Sequence, residues 1–426
     1  MQSQSSAPAT HVRYIVLALT VAVYLITYLD RTLLSAAAPS IQKEMGFSIE
    51  TLGWVLASYQ IGYSVFQIPG GWLGDRFGPR IALTIVVIWW SAFTAFTALT
   101  WSVTSLAVVL FLFGAGEAGA FPIATRSLSR WILPAERGFA QGVTHAGSRF
   151  GGAITPVIAV FLIAHYGWRA PFYVFAIPGL LWAAIWFWYY RDTPAEHKGV
   201  NEAERALIGG ELGGAGRKGA RDIPWRSILG NPRMWGLAAM YFCYGCVLIT
   251  FLTWFPKYLS TARGLSLQQM GLFASLPLAA AMVGDICGGW ISDWLLKRTG
   301  RITYSRRVVA VTGFAITGLS IPVAVLAADP VVSILFFSLS LFALELTVGN
   351  SWAVTLDIGG SYAGSVSAVM SMCGNLGGAM YAAMMGYIVS AFGWHVAFFG
   401  LAAFAILGAA LFSRIDVSRP LHVAKG

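Results

Sequence analysis

Five ionisable side chains interrupt long apolar stretches of this sequence: Asp30, Arg31, Glu117, Arg149 and Asp285. On insertion scales each costs about 2.5 to 3.5 kcal/mol at the centre of a membrane-spanning helix, so such a residue persists only where it faces protein or water. Carboxyl groups in such places can bind and release protons, and guanidinium groups present a planar fork that matches a carboxylate. The functional interpretation of these charges is therefore proton exchange at acids and anion binding at arginines. The alternative is that these residues pair permanently and only hold helices together.

Two of the acids have informative neighbours in the chain. Asp30 and Arg31 are adjacent within the mostly apolar stretch Tyr24–Leu34. Because consecutive residues of a helix point in different directions, we expect these two side chains to face different surfaces. Glu117 lies in the run of small residues Gly114–Gly119, which allows a neighbouring helix to approach closely.

The remaining two charges leave more than one interpretation open. Arg149 is a second guanidinium among small residues, and its counterpart 226 positions later is Asn375. A cation and a neutral amide in equivalent places would give an asymmetric pocket, with charge recognition in one half and hydrogen bonding in the other. Asp285 can line the cavity, accept hydrogen bonds from a neighbouring helix or contribute to proton coupling.

The elements that hold these residues are predicted to be membrane-spanning helices. Of the 426 residues, 57% are hydrophobic and only 11% are charged, well below the charge of an average soluble domain. A spanning helix needs about 20 apolar residues. Twelve stretches qualify, which predicts an all-α membrane protein: 14–38, 52–74, 81–100, 103–126, 138–163, 170–190, 234–257, 268–292, 307–327, 330–353, 361–388 and 393–413.

The chain divides into two related halves. The only long polar segment, 191–233, is predicted to be a cytoplasmic linker with a short helix at Asn201–Leu212, between helical bundles at 1–190 and 234–426. Similar words recur in the same order at offsets of 218 to 226 positions, for example GGWLGD at 70–75 and GGWISD at 288–293. This repetition predicts two six-helix bundles related by pseudo-symmetry, with a site at mid-membrane where the repeats meet.

The basic residues follow a topological pattern. With a cytoplasmic N-terminus, 22 of the 28 Lys and Arg fall on the cytoplasmic side and four on the outside. This is the positive-inside pattern, and it predicts a multi-pass protein of the cell inner membrane with both termini in the cytoplasm. The net charge of +10 therefore needs no nucleic acid partner.

Several segments resemble a known family. The words GGWLGDRFGPR at 70–80 and GGWISDWLLKRTGR at 288–301 resemble the loop signature of the major facilitator superfamily and a degenerate second copy of it. Further segments resemble the anion:cation symporter branch of that superfamily: Tyr28–Arg31, Gly114–Pro122, Phe251–Pro256 and Gly374–Gly378. That branch moves organic anions such as sugar acids, commonly with protons, and the resemblance covers nearly the whole chain.

The resemblance implies roles for individual residues. Asp30 and Glu117 become the acids that take up and release protons, and Arg31 becomes the anchor of an anionic substrate. Some relatives carry an arginine where this chain has Leu110, and Arg149 is the candidate to replace it. The other residues expected to bind substrate are Tyr28, Tyr59, Tyr63, Tyr241, Tyr244, Asn350, Ser371 and Asn375. A conformational latch at the cytoplasmic face is implied for Asp75, Arg76 and Arg80, although Arg80 is explained equally well as a topogenic charge.

These observations favour a proton-coupled symporter that imports a small organic anion by alternating access. An organic phosphate exchanger or a drug/proton antiporter of the same fold is the alternative. The sequence contains no HExxH, no GxSxG and no phosphate-cradling loop, which argues against an enzyme. We expect no metal and no cofactor, and a monomer whose partners are the anion, H⁺ and the lipid bilayer.

Overall fold

The computed structural model describes residues 8–47, 49–212, 224–265 and 267–418. These residues are predominantly helical, and no strand occurs among them. The α-helices in chain order are α1 (Val12–Met45), α2 (Ile49–Phe77), α3 (Pro79–Thr97), α4 (Val103–Glu117), α5 (Ala120–Trp131), α6 (Arg137–Tyr166), α7 (Arg169–Tyr189), α8 (Glu202–Leu212), α9 (Trp225–Leu229), α10 (Pro232–Thr261), α11 (Leu267–Thr299), α12 (Ile302–Leu326), α13 (Pro330–Glu345), α14 (Val348–Gly359) and α15 (Ala363–Phe412).

Apolar side chains cover the outside of the helices as well as their packed faces. In α7, Trp182 and Trp186 are buried, whereas Leu181 is 60% and Trp188 is 76% exposed. A helix that is apolar on all sides is typical of a lipid environment. Seven stretches of the described residues are long and apolar enough to cross a membrane, and the longest, Pro330–Phe412, contains several helices.

The described chain packs into two compact units. One consists of Met1–Pro134, Gly147–Ile223 and Gly360–Ala368, and the other of Ala135–Ala146, Pro224–Gly359 and Val369–Gly426. The start of α6 thus belongs to the second unit, and the start of α15 to the first. These units follow packing, whereas the division at 1–190, 191–233 and 234–426 follows chain order, and that division stays a prediction.

Two of the predicted spans are broken helices. The span at 103–126 is formed by α4 and α5, and the span at 330–353 is formed by α13 and α14. In both cases the first helix ends at a buried glutamate, Glu117 in α4 and Glu345 in α13. The same interruption in both halves is a structural counterpart of the sequence repeat.

A repeated glycine lies against each break. A Cβ atom on Gly70 would overlap the backbone of Gly119, and a Cβ atom on Gly288 would overlap the backbone of Leu346. These two glycines open the repeated GGW words. Their lack of a side chain lets one helix backbone touch the broken helix directly, which explains why the word occurs in both halves.

The kink in α15 separates the last two predicted spans. Gly393 has φ 82°, a conformation that glycine adopts without steric cost. The spans predicted at 361–388 and 393–413 are therefore two helices within α15, separated by the non-helical backbone of Gly393.

The short helix predicted in the polar segment is confirmed as α8. Its N-terminus is capped by Asn201, whose side-chain oxygen accepts a hydrogen bond from the Glu204 amide at 2.9 Å. The buried Glu204 carboxylate in turn accepts hydrogen bonds from the amides of Val12 and Arg13, at 3.3 and 3.2 Å. The first amides of a helix lack intrahelical hydrogen-bond partners. Helix α8 therefore supplies, through Glu204, acceptors for the free N–H groups at the start of α1.

Candidate functional site

The centre of the first unit is an ion pair between α1 and α4. Nη2 of Arg31 lies 3.5 Å from Oε2 of Glu117, and the same oxygen accepts a hydrogen bond from the Tyr59 hydroxyl. A Cβ atom on Gly114 would overlap the backbone at Tyr59, so the glycine in α4 is what brings the acid within reach of this phenol. The Glu117 side chain is fully buried, while 26% of the Arg31 side chain is exposed. The acid is therefore fully buried beside an arginine whose side chain is partly exposed.

Three tyrosines surround the Arg31 guanidinium. Its Cζ atom lies 4.6 Å from the ring centroid of Tyr63, 5.0 Å from that of Tyr28 and 5.7 Å from that of Tyr59. Each such cation–π contact contributes about 0.5–1 kcal/mol at exposed sites and about 2 kcal/mol where water is excluded. The guanidinium is therefore held by three aromatic rings and by the Glu117 carboxylate through Nη2.

Asp30 faces a different helix. Its Oδ2 atom accepts a hydrogen bond from Nε1 of Trp90 in α3 at 3.2 Å, and its side chain is buried. The expectation that Asp30 and Arg31 serve different surfaces is thereby confirmed. Oδ1 of Asp30 is buried and makes no hydrogen bond within the described residues. A carboxyl group with one donor and one unsatisfied oxygen is better suited to carry a proton than a permanent charge.

Arg149 approaches the same tyrosine as Arg31. Its Cζ atom lies 5.9 Å from the ring centroid of Tyr28. Helix α6 reaches α1 at this level because Gly151 has no side chain; a Cβ atom there would overlap the backbone of Leu25. Two guanidinium groups against one phenol ring form a region of positive charge inside the first unit.

The second unit has an aromatic hydrogen-bond network where the first unit has an arginine surrounded by tyrosines. The rings of Tyr241 and Tyr244 stack with centroids 4.7 Å apart, and Trp352 donates a hydrogen bond from Nε1 to the Tyr241 hydroxyl at 2.7 Å. The Tyr244 hydroxyl donates to Oε2 of Glu345 at 2.9 Å. The ring of His145 in α6 packs on Trp352, 5.2 Å between centroids.

Sequence reasoning missed Glu345. Glu345 lies within the predicted span 330–353 but is not among the five charged residues singled out from the sequence, and the helix break that follows it at Leu346 and Thr347 has no Gly or Pro to mark it. A signal was nevertheless present, because Glu345 lies 228 positions after Glu117, close to the repeat offset of 218 to 226. It also missed Trp90, since nothing in a sequence assigns an indole N–H to a particular carboxylate.

The other predicted substrate-binding residues of the second unit differ in what they contact. The Asn350 amide donates to the carbonyl of Leu346 at 2.7 Å and to that of Gly288 at 3.4 Å, so it stabilises the break between α13 and α14. The Asn375 amide donates to the Ser371 carbonyl at 2.9 Å, one turn earlier in α15.

Asp285 is buried within α11. Its backbone carbonyl lies where a Cβ atom on Gly142 of α6 would be. This close contact fixes the helix backbone at Asp285, and the role of the carboxyl group stays a prediction.

The predicted latch acid Asp75 caps a helix. It accepts hydrogen bonds from the amides of Gly364 at 3.3 Å and Ser365 at 2.7 Å, at the start of α15, and from the Ser365 hydroxyl at 2.7 Å. Its cationic partner is Arg126, whose Nε lies 3.4 Å from Oδ1. The first N–H groups of a helix lack intrahelical acceptors, so a carboxylate placed there is stabilised by their hydrogen bonds and by the helix dipole.

The other two predicted latch residues lie elsewhere. The Arg76 guanidinium lies 5.3 Å from the Trp72 ring, and that of Arg80 lies over Phe187 at 4.6 Å. The Arg80 amide donates to Asp192 at 3.2 Å. Burial raises the pKa of Asp192, and the nearby Arg130 opposes that shift.

The second unit repeats this cap. Asp293, the counterpart of Asp75, accepts hydrogen bonds from the amides of Gly138 at 3.2 Å and Phe139 at 2.6 Å, at the start of α6. Arg306 donates to the same carboxylate at 2.6 Å. Each repeat thus uses the acid of its GGW word to hold the first turn of a long helix.

Metal binding finds no support in this arrangement. Within the part of the chain that the structure describes, no group of three or more His, Cys, Asp or Glu side chains could hold a metal ion.

Comparison with known proteins identifies the fold and the family. The Major Facilitator Superfamily profile matches residues 20–382. The chain superposes on the proton:xylose symporter XylE with a TM-score of 0.75, covering 95% of this chain and 96% of that one at 14% identity. The predicted fold, twelve helices in two bundles, is confirmed, as is the prediction that the protein is not an enzyme.

Curated relatives are transporters. A "Probable sulfoacetate transporter SauU" of Cupriavidus necator is 39% identical over 88% of this chain and 87% of its own length. A "Hexuronate transporter" of Bacillus subtilis is 34% identical over 93% of both chains. A "Probable galactarate/D-glucarate transporter GudP" of Bacillus subtilis is 31% identical over 90% of this chain and 87% of that protein. Taken with the profile match, these relatives show that the chain belongs to the major facilitator superfamily, in its anion transporter branch.

Proposed function

We propose that this protein is a proton-coupled symporter that imports a small organic anion, such as a sugar acid or another carboxylate, by alternating access. It works as a monomer in the cell inner membrane, with both termini in the cytoplasm. The names of the relatives support the substrate class, because sulfoacetate, hexuronates, galactarate and D-glucarate are all small organic anions.

The observation that carries the proposal is the pairing of Arg31 with Glu117. The cation is partly exposed and the acid is buried behind it. A carboxylate substrate that reaches the guanidinium competes with Glu117 for the same positive charge. Two unit charges about 4 Å apart attract by about 4 kcal/mol at an effective dielectric constant of 20, on the order of a thousandfold in affinity.

Coupling follows from this competition. Protonation of Glu117 removes its negative charge, and Arg31 is then free to pair with the substrate carboxylate. When the substrate leaves, Glu117 loses its proton and recovers Arg31. The Tyr59 hydroxyl donates to the carboxylate form of Glu117 and can accept from the protonated form, so this contact survives both states. Binding of the anion is therefore favoured when the proton is also bound.

Asp30 is the second proton carrier in this proposal. Its single hydrogen bond from Trp90 leaves one buried oxygen unsatisfied. Because Asp30 lies in α1 next to Arg31 but faces α3, its proton changes the charge beside the anion site without competing directly for the guanidinium. The two acids can titrate as a coupled pair.

The remaining residues supply the rest of the site. Arg149 adds a second positive charge beside Tyr28, and Tyr241 and Tyr244 offer hydroxyl groups for the substrate. Asp75 acts as the latch, through its hydrogen bonds to the start of α15. The drug/proton antiporter alternative is disfavoured, because Arg31 and Arg149 repel cationic drugs.

Uptake into proteoliposomes tests this function. With an acidic exterior, we expect the wild-type protein to accumulate D-glucuronate or sulfoacetate above the outside concentration. Glu117→Gln should lose this accumulation while retaining exchange of labelled for unlabelled substrate, because Arg31 still binds the anion but the proton that Glu117 carries no longer accompanies it. Proton-driven accumulation by Glu117→Gln would contradict the coupling role.

An organic phosphate exchanger is the second candidate, and one observation favours it. Arg31 and Arg149 share Tyr28, and two guanidinium groups suit a doubly charged phosphate. Counterflow with glucose 6-phosphate separates the two functions. We expect no counterflow with this compound; efficient counterflow, without dependence on a pH gradient, would replace the proposed symport by phosphate exchange.

A further inference from the structure

Glu345 is a fully buried acid in the apolar helix α13. An acid in such a helix has a high insertion cost and is retained only with a compensating role. None of the coupling steps described above uses it.

The two halves place Glu345 and Glu117 in the same structural position. Each is the last residue of the first segment of a broken helix, and each break touches the glycine that opens a GGW word. Each also accepts a hydrogen bond from a tyrosine hydroxyl, Tyr59 for Glu117 and Tyr244 for Glu345. The tyrosines come from non-equivalent helices, α2 and α10, so the acid–phenol pair arises from different residues at an equivalent place.

A phenol is a suitable partner for a carboxyl group that changes its protonation state. The Tyr244 hydroxyl can donate to the Glu345 carboxylate, and it can accept from the carboxylic acid after a small rotation of the O–H bond. The 2.9 Å contact therefore persists with or without the proton. A partner that can only donate would oppose protonation.

The charged and titratable groups around Glu345 come from several helices. From α10 the carboxyl group meets the Tyr244 phenol, which stacks on Tyr241. From α11 it meets Gly284, where a Cβ atom would lie 3.2 Å from the Cβ of Glu345, and Asp285 follows directly in the chain. Between residues 308 and 326, α12 carries no ionisable side chain. The acid of α14, Asp357, is bound to Arg137 and Arg306.

The network around Glu345 reaches residues predicted to bind substrate. Tyr244 stacks on Tyr241, Tyr241 accepts a hydrogen bond from Trp352, and Trp352 packs on His145. A change in the protonation of the Glu345 carboxyl group changes the hydrogen bonding of Tyr244, and this affects the contacts of Tyr241 and Trp352. Its protonation state is thus linked to side chains of the second unit that are predicted to bind substrate.

We infer that Glu345 is a second proton-binding group of the transport cycle, the counterpart in the second repeat of Glu117 in the first. Its carboxylate takes up one proton from water and returns it to water on the other side of the membrane. This inference rests on the proposed proton coupling and adds a coupling residue in the half of the protein that lacks Asp30 and Arg31.

Infrared difference spectroscopy of the full-length protein in lipid tests the inference without transport. A pH step changes the carbonyl stretching band of protonated carboxyl groups, and a variant lacking one titrating acid loses its part of that band. We expect Glu345→Gln to lose a component that Glu117→Gln keeps. The matched control is Glu44→Gln, an exposed acid bound to Arg169 and Trp168, which should leave the buried-acid band unchanged.

A second variant covers the case in which Glu345→Gln does not fold. Tyr244→Phe removes the phenol hydrogen bond, and we expect the Glu345 component to shift in frequency and in the pH of its midpoint. An unchanged band in Glu345→Gln, or a Tyr244→Phe spectrum identical to wild type, would overturn the inference. If the component is present while the uptake assay shows no proton-driven accumulation, the proposed symport fails and the titration of Glu345 stands.

Discussion

The two repeats share their backbone and differ in the chemistry they place on it. Both have a broken helix that ends at a buried glutamate, a glycine packed against the break and an aspartate that caps a long helix. The first repeat adds Asp30 and Arg31; the counterparts of these residues in α10 are Thr253 and Trp254. Duplication therefore kept the parts that shape the helices, and the side chains beside each glutamate diverged.

This difference assigns separate tasks to the two units. In the proposed function, anion recognition by charge is concentrated in the first unit, where the guanidinium groups of Arg31 and Arg149 both lie near the Tyr28 ring. The second offers phenol, indole and amide groups, which suit hydrogen bonds to the uncharged parts of a substrate. Sugar acids have both kinds of group.

The strongest test of this comparison replaces counterpart residues. Arg31→Lys keeps the charge and loses the planar fork, so we expect D-glucuronate affinity to fall by about 1.5–3 kcal/mol, on the order of 10- to 100-fold. Trp254→Phe, at the equivalent place, removes a hydrogen bond to the Ala382 carbonyl and should change affinity by less than about threefold. Isothermal titration calorimetry measures both. Equal losses would show that substrate affinity does not depend specifically on the guanidinium of Arg31.

A second prediction tests whether the helix breaks of the two repeats are structurally equivalent. Gly70→Ala and Gly288→Ala each introduce a Cβ atom that overlaps the backbone at a helix break. We expect both to destabilise the protein by about 1–3 kcal/mol, as overpacking does elsewhere.

Gly209→Ala in α8 is the matched control, because nothing lies within 4 Å of its added Cβ atom. The apparent melting temperatures of the three variants rank these effects. A destabilisation in only one repeat would mean that the two breaks are not equivalent.

The smallest predicted effect concerns the two acids of the first unit. Trp90→Phe removes one hydrogen bond to Asp30, and Tyr59→Phe removes one to Glu117. Each loss is worth about 1 kcal/mol, on the order of fivefold in initial uptake rate. We expect Tyr59→Phe to be the more damaging, since Tyr59 also contacts Arg31. The reverse order, measured in proteoliposomes, would make Asp30 the main proton carrier.

The helices and the candidate charged residues could be predicted from the sequence, because apolar length and charges within apolar stretches are both features of local composition. Apolar length indicates the spans, and helix α8 was recognisable from its polar, acidic start. Adjacent positions in a helix also predict that Asp30 and Arg31 face different neighbours, which the Trp90 contact confirms.

What the sequence does not predict depends on distant contacts. The breaks after Glu117 and Glu345 arise where another helix backbone packs closely. Small residues such as those at Gly114–Gly119 indicate a close approach, but they do not indicate that the helix ends there. For Asp75 the resemblance implies a latch without naming a partner, and the cationic partner is Arg126, some 50 residues away. Long, flexible cationic side chains cannot be assigned to acids from spacing alone.

Proton uptake on substrate binding tests the central claim most directly. Purified protein in weak buffer is titrated with D-glucuronate, and the pH change is recorded beside the heat of binding. If the anion displaces Glu117 from Arg31, the wild type takes up about one proton more per bound substrate than Glu117→Gln does, while both bind the anion. Equal uptake by the two proteins would contradict the exchange of partners at Arg31.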